Sequence, residues 1–452
     1  MISRERLDRL IARERASYAE LHPRSQRAFR AGLAHLFGGV PMTWMGKWSG
    51  GFPLYLDTAS GNRVTDIDGL TYIDFALGDT GAMAGHSPPP VVRAVQERMS
   101  HKGGITTMLP TEDAAWVGAE LARRFGLPLW SFSLTATDAN RWALRLGRLA
   151  TGRPRVLAFS YCYHGSVDET VVVRGPGGET LPRPGNVAPQ VDPAQTTRVA
   201  EFNDLESVDR ALSHGDIAVI ITEPALTNIG IVLPEPGFLE GLRALADKHE
   251  ALLLLDETHT LSAGPGGMTG ARGLRPDIVT VGKSIGGGIP TGAYGITEAL
   301  ADRIRAHPTA DLVDVGGVGG TLAGNALAVA AMRATLGEVL TEDAYRRMTA
   351  LADRFSDGVE QVLVRHELPW SITRLGARAE YRFARPAPRT GSESARAGDA
   401  ALDEYLHLYM ANRGVLMTPF HNMALMCPAT SDGDVDRHGE LFAAAVGELT
   451  GR

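Results

Sequence analysis

Short, continuous apolar runs alternate with helical stretches from about residue 90 onward. They are WSFSL at 130–134, RVLAFS at 155–160, AVIIT at 218–222, ALLLLD at 251–256 and DIVTV at 277–281. A run without polar alternation is a strand buried on both faces, and helices between such runs make the strands parallel. The pattern predicts an α/β, doubly wound domain. Upstream, residues 1–35 read as helix, and 53–76 alternate apolar and polar residues around Gly61-Asn62 and Asp68-Gly69. That alternation predicts a small antiparallel unit. Beyond about residue 331, helices and short strands read as a second, smaller domain, with a polar loop at 385–397. The expected division is 1–75 (helix and antiparallel segment, part of the smaller domain), 76–330 (the large domain) and 331–452 (the rest of the smaller one).

Composition narrows the class. A chain of 452 residues exceeds one ordinary core. Its net charge of −7 and the lack of a basic run argue against a nucleic-acid partner. No apolar segment approaches the ~20 residues that span a membrane. The first 21 residues are charged and amphipathic, unlike a secretory signal. Two cysteines, Cys162 and Cys427, make no disulfide framework, so a cytoplasmic setting is expected.

In a doubly wound sheet, ligands bind beyond the carboxyl ends of the strands. Those ends carry Thr135-Ala136-Thr137, then Tyr163-His164-Gly165, then Glu223-Pro224, then Asp256-Glu257-Thr258-His259, and last Gly282-Lys283. Small and hydroxyl residues opening a helix suit a phosphate, or serve as an ordinary N-cap. Tyr163 offers a face for a planar ring. Asp256 ends an otherwise uninterrupted apolar strand, where a carboxylate is costly unless it meets a cation. Lys283 is one of only four lysines, the other 41 basic positions being arginine. Burial at a strand end would depress its pKa and free a nucleophilic amine, which arginine cannot supply. Phosphate site, aromatic face, buried acid and imine-forming lysine together describe a pyridoxal phosphate pocket. No metal is expected.

These segments resemble the class III, fold type I aminotransferases, most closely the branch of glutamate-1-semialdehyde aminomutase and its relatives. The motifs are TATDANRWALRLGRLATGR, YHG at 163–165, LLLLDETHT, VGKSIGGGIPTGAYG and GGTLAGNALAVAA, and the likeness spans most of the chain. It implies a mostly parallel seven-stranded sheet between helices, with a small α+β domain built from both chain ends. It also implies roles. Lys283 would form the Schiff base and shuttle the proton. Asp256 would pair with the pyridine nitrogen, and Tyr163 and Thr258 would pack on opposite ring faces. Thr135, Ala136 and Thr137 would cradle the phosphate, with Gly320 and Thr321 reaching it from a second subunit of a homodimer. Glu223 and Asn228 would lie near the ring hydroxyl, and His164 and His259 would be further cofactor contacts, His259 at a position where the family often has glutamine or methionine.

The chain departs from that pattern where an arginine should hold the substrate carboxylate. The segments 40–48, 260–263 and 418–426 contain none, although a bidentate carboxylate clamp is an arginine task. Trp44, Trp48, Phe420 and His421 stand there instead, an apolar substrate pocket. The expectation is an ω-type transaminase that moves an amino group from a hydrophobic amine or amino acid to a keto acid. The alternative is an aminomutase, turning over without any acceptor. Further alternatives are a racemase or decarboxylase that uses the same lysine imine, and a catalytically idle binding protein that keeps the fold. Arg413 is left as a candidate partner for the acceptor's carboxylate.

Overall fold

The computed structural model describes residues 2–307 and 318–451. The chain divides into two units. One comprises Met1–Ser87, Arg346–Ala387 and Ala397–Arg452; the other comprises Pro88–Tyr345 and Pro388–Arg396. The divisions thus fall at 87/88 and 345/346, where 75/76 and 330/331 were expected. Pro388–Arg396, from the expected polar loop, joins the larger unit.

The larger unit is built on a seven-stranded sheet. Its order is Leu129–Ser133, Gly292–Ile296, Ile278–Gly282, Leu252–Asp256, Ile217–Thr222, Arg155–Phe159 and Thr197–Ala200. Gly292–Ile296 runs antiparallel to both neighbours, and every other pairing is parallel. The three central strands are buried at every position, which is why they read as unbroken apolar runs. Burying a leucine contributes about 1.5–3 kcal/mol. Leu252 to Leu255 in succession therefore hold in place a strand that ends on a carboxylate.

Helix Ala136–Thr151 packs on this sheet through Ala139, Asn140, Ala143, Leu144 and Gly147, a spacing of three and four residues. Gly147 is needed there: a Cβ would come within 2.3 Å of Val219 Cγ2. Thr135 caps the helix, its Oγ1 accepting the Asp138 N–H at 3.1 Å, and Gly152 ends it in the left-handed conformation.

In the smaller unit the expected single helix over 1–35 is two, Arg4–Leu21 and Pro23–Gly32. Pro23 lacks an N–H and restricts the residue before it, so the helix must stop and restart at His22. Strands Leu56–Ser60, Arg63–Asp66 and Thr71–Asp74 form the antiparallel unit, extended by Val415–Leu416 in parallel. A second antiparallel sheet joins Ser371–Leu375, Arg378–Arg382 and Met423–Leu425. No helix among the described residues is long and apolar enough to cross a membrane.

Candidate active site

The strand ends of the larger unit carry a connected polar network. Register pairs Leu255 with Thr222, so Asp256 and Glu223 follow on neighbouring strands. Asp256 is 3% exposed. Its Oδ2 accepts from Asn140 Nδ2 at 2.8 Å and from His164 Nδ1 at 2.9 Å, and its Oδ1 from the Thr258 N–H at 3.1 Å. Burial pushes the carboxyl pKa up. The hydrogen bond and charge of His164, with the Asn140 bond, outweigh that and hold it below the ordinary carboxylate range. Asn140 is locked in turn, accepting from Thr280 Oγ1 at 2.6 Å and donating to the His164 carbonyl at 3.1 Å.

Glu223 receives different neighbours. Its Oε1 accepts from the Tyr163 N–H at 3.2 Å and the Cys162 thiol at 3.5 Å, and its Oε2 from the Thr227 hydroxyl. Burial dominates and raises its pKa. Asn228, half-buried beyond this strand, accepts from Arg183 at 3.0 Å.

Lys283 follows Gly282 directly at the end of Ile278–Gly282. It is half-buried rather than enclosed, and its φ of 52° puts a non-glycine residue in the left-handed region. Such backbone costs about 1–3 kcal/mol and clusters at functional sites. Its Nζ lies 2.7 Å from His259 Nε2. A Cβ on Gly282 would sit 3.0 Å from Ala136, so the strand end passes tightly against the start of helix Ala136–Thr151.

At that helix start, the Ala136 and Thr137 N–H groups belong to the first turn, which has no intrahelical acceptor. The Thr135 hydroxyl is committed to the cap, donating to Asp138 Oδ2 at 3.0 Å as well as accepting. Thr137 Oγ1 accepts the Ser166 N–H at 3.2 Å. Gly165 has φ 79°, and a Cβ there would lie 2.0 Å from Thr137 Oγ1. The loop carrying Tyr163 and His164 is thereby pinned to the helix start. Tyr163 is half-buried, whereas Thr258 and His259 are buried.

Gly320 and Thr321 are exposed in the larger unit. Trp44, Trp48 and Phe420 belong to the smaller unit, where they line a cavity of about 380 Å³ with Met42, Met45 and Tyr55. The Trp44 and Phe420 rings are 4.4 Å apart. His421 does not line that cavity. It is 5% exposed and its Nδ1 lies 3.3 Å from Glu380 Oε1. Burial works against its charge, but Glu380 outweighs burial and raises its pKa. Arg413 is likewise spent, bonded to Glu14 at 2.9 and 3.2 Å and stacked 3.5 Å from the Tyr409 ring centroid.

Two residues of the network were not singled out in the sequence. Asn140 betrays itself as a polar residue on the apolar face of its helix, and Thr280 as the one hydroxyl inside DIVTV. Both are fully buried.

These residues fit pyridoxal 5'-phosphate. Asp256 is buried, favours its charged form and, among the described residues, accepts one bond at Oδ1, which leaves a lone pair for a protonated ring nitrogen. Lys283 presents a primary amine, and the helix start presents free N–H donors to a phosphate. Fold and constellation define a pyridoxal phosphate-dependent enzyme of fold type I.

The chain belongs to the class III aminotransferases: the family model for aminotransferase class-III matches residues 44–444. A glutamate-1-semialdehyde 2,1-aminomutase of Anaeromyxobacter sp. (strain Fw109-5) is 33% identical over 404 residues, 88% of this chain and 92% of that protein. Among solved structures, a glutamate-1-semialdehyde-aminomutase from Pseudomonas aeruginosa PAO1, a lysine-to-alanine variant in complex with PMP, is 50% identical. It has a TM-score of 0.96 over 99% of both chains. A β-phenylalanine aminotransferase from Variovorax paradoxus is 26% identical, with a TM-score of 0.85 over 98% of this chain and 97% of that one.

Proposed function

We propose that this chain is an aminomutase of the glutamate-1-semialdehyde type, moving an amino group between adjacent carbons of one substrate. The observation that carries the reading is 50% identity along 99% of the chain to such an aminomutase, supported by the contacts of Lys283 with His259 and of Asp256 with Asn140. It takes precedence over the sequence-based expectation of a transaminase.

When bound, pyridoxal 5'-phosphate supplies a ring that accepts the electron pair left on a substrate carbon. Lys283 Nζ would carry the proton between the nitrogen-bearing substrate carbon and the cofactor, its amine oriented by His259 Nε2 at 2.7 Å. Asp256, kept charged by His164 and Asn140, would hold the ring-nitrogen proton in place. The Ala136 and Thr137 N–H groups would hold the phosphate, and Tyr163 and Thr258 would pack on the ring. Gly320 and Thr321 would complete the phosphate site of a second copy. The exposed apolar residues Met108 and Leu109, sharing a cavity of about 280 Å³ with Thr321, support a homodimer. The two free, buried cysteines support a reducing cytoplasm.

The test is to supply glutamate-1-semialdehyde with no keto acid. The expected result is complete conversion to the isomer with its amino group moved from carbon 2 to carbon 1. A strict requirement for added keto acid would overturn the reading. It would favour a transaminase acting on hydrophobic amines, supported by the tryptophan-lined cavity of the smaller unit and assayed with 1-phenylethylamine and pyruvate.

A further inference from the structure

The three segments expected to carry a carboxylate-binding arginine lack one, and Arg413 is occupied by Glu14. A different guanidinium is free of such a partner. Arg183 follows the short strand Thr180–Pro182 of the larger unit. It lies over the Tyr161 ring, 5.3 Å from the centroid, and donates to the Tyr161 carbonyl at 3.4 Å and to Asn228 Oδ1 at 3.0 Å. Those two bonds use two of its five donors, leaving three. Among the described residues no carboxylate lies within ion-pair distance of it.

Arg413 shows the contrast. It too is stacked on a tyrosine, but it is also paired with a buried glutamate. Arg183 has the aromatic platform and the orienting hydrogen bonds without the anion. Half-burying a guanidinium without a counter-ion is costly, and burial indeed pulls its pKa down. The acid whose field reaches it, Glu223, has both oxygens engaged by Tyr163, Cys162 and Thr227, and burial favours its neutral form. Tyr161 has φ 63°, so its platform is held in a strained backbone. Asn228 lies in the segment that follows Glu223, and Tyr161 immediately precedes the Cys162-Tyr163 pair that contacts Glu223, which places the guanidinium beside the catalytic network.

We propose that Arg183 is the clamp for the substrate's carboxylate, taking the place of the arginines absent elsewhere. The inference rests on the reading of this site as one that binds an amino acid. Tyr161 stacking and the Asn228 bond fix the plane of the fork, and the remaining N–H groups receive both carboxylate oxygens.

The test uses the holoenzyme and two inert probes, pentanoate and its neutral amide pentanamide, titrated calorimetrically. Arg183→Gln should weaken pentanoate about tenfold to a hundredfold, the range for a charge-assisted bond. Arg183→Lys, which keeps the charge but not the fork, should lose less. Pentanamide binding and the affinity for pyridoxal 5'-phosphate should stay unchanged in both. Unaltered pentanoate binding, an equal loss of both probes, or a loss confined to cofactor affinity would overturn the clamp. A selective pentanoate loss in an enzyme that needs a keto acid keeps the clamp and sinks the aminomutase. Acceptor-free turnover with indifferent Arg183 variants does the reverse.

Discussion

Asp256 ends one strand and Glu223 directly follows its parallel neighbour, and both are almost wholly enclosed. Their pKa values nevertheless move in opposite directions, Asp256 down and Glu223 up. Burial opposes charge in both. The difference lies in the donors: Asp256 faces a histidine ring, an amide and a backbone N–H, whereas Glu223 faces a thiol, a hydroxyl and one N–H. A buried acid's charge is thus set by what is aimed at it, not by its depth. Asp256, the proposed partner of the ring nitrogen, is surrounded so as to keep its charge, whereas Glu223 braces the Tyr163 loop.

Substitutions that break this contrast should differ in size. Asp256→Ala removes the charge itself and should lower kcat by about a thousandfold, the scale for losing a preorganised electrostatic group, read in a steady-state assay of the holoenzyme. His164→Gln keeps Asp256 but withdraws its strongest donor. A group acting through another in this way typically costs about tenfold to a hundredfold, and the acid limb of the pH–rate profile should move to higher pH. Asn140→Ala strips one bond from Asp256 and leaves the Thr280 hydroxyl without its acceptor. Urea unfolding should show a loss of about 1–3 kcal/mol. Glu223→Gln should be the mildest, preserving shape and removing a charge the site disfavours, with kcat nearly unchanged.

The pH dependence of stability separates the pair further. Asp256, with its lowered pKa, contributes stability above the ordinary aspartate range, and this is lost as pH falls through its native value. Glu223, with a raised pKa, contributes below the ordinary glutamate range and loses that contribution as pH rises through its native value. Glu223→Gln should therefore flatten the decline on the alkaline side of the carboxylate range, and Asp256→Asn the decline on the acidic side.

The comparison also bears on what a sequence discloses. Five strands were legible because their apolar runs are continuous. Thr197–Ala200 was missed because four residues with an arginine among them make no run. Gly292–Ile296 was missed because its two glycines dilute the pattern. The acids, Tyr163 and Lys283 stood out because each follows an apolar run. Asn140 and Thr280 sit inside helix and strand, where periodicity absorbs them. Arg183 lies in a stretch rich in proline and glycine with no periodicity at all. The contrast between the two carboxyls was beyond reach of the sequence, since their partners come from distant segments. Pro23 was the opposite case, a visible breaker that should have divided the first helix.

The proposed site depends on Asp256 holding a charge that its neighbour resists. Isotope-edited infrared spectroscopy, followed across pH with Asp256→Asn and Glu223→Gln as assignments, reads each carboxyl directly. The predicted result is an Asp256 band that titrates below the ordinary carboxylate range and a Glu223 band that titrates above it. The reverse order, or two carboxyls titrating together, would contradict the assignment of Asp256 as the partner of the ring nitrogen.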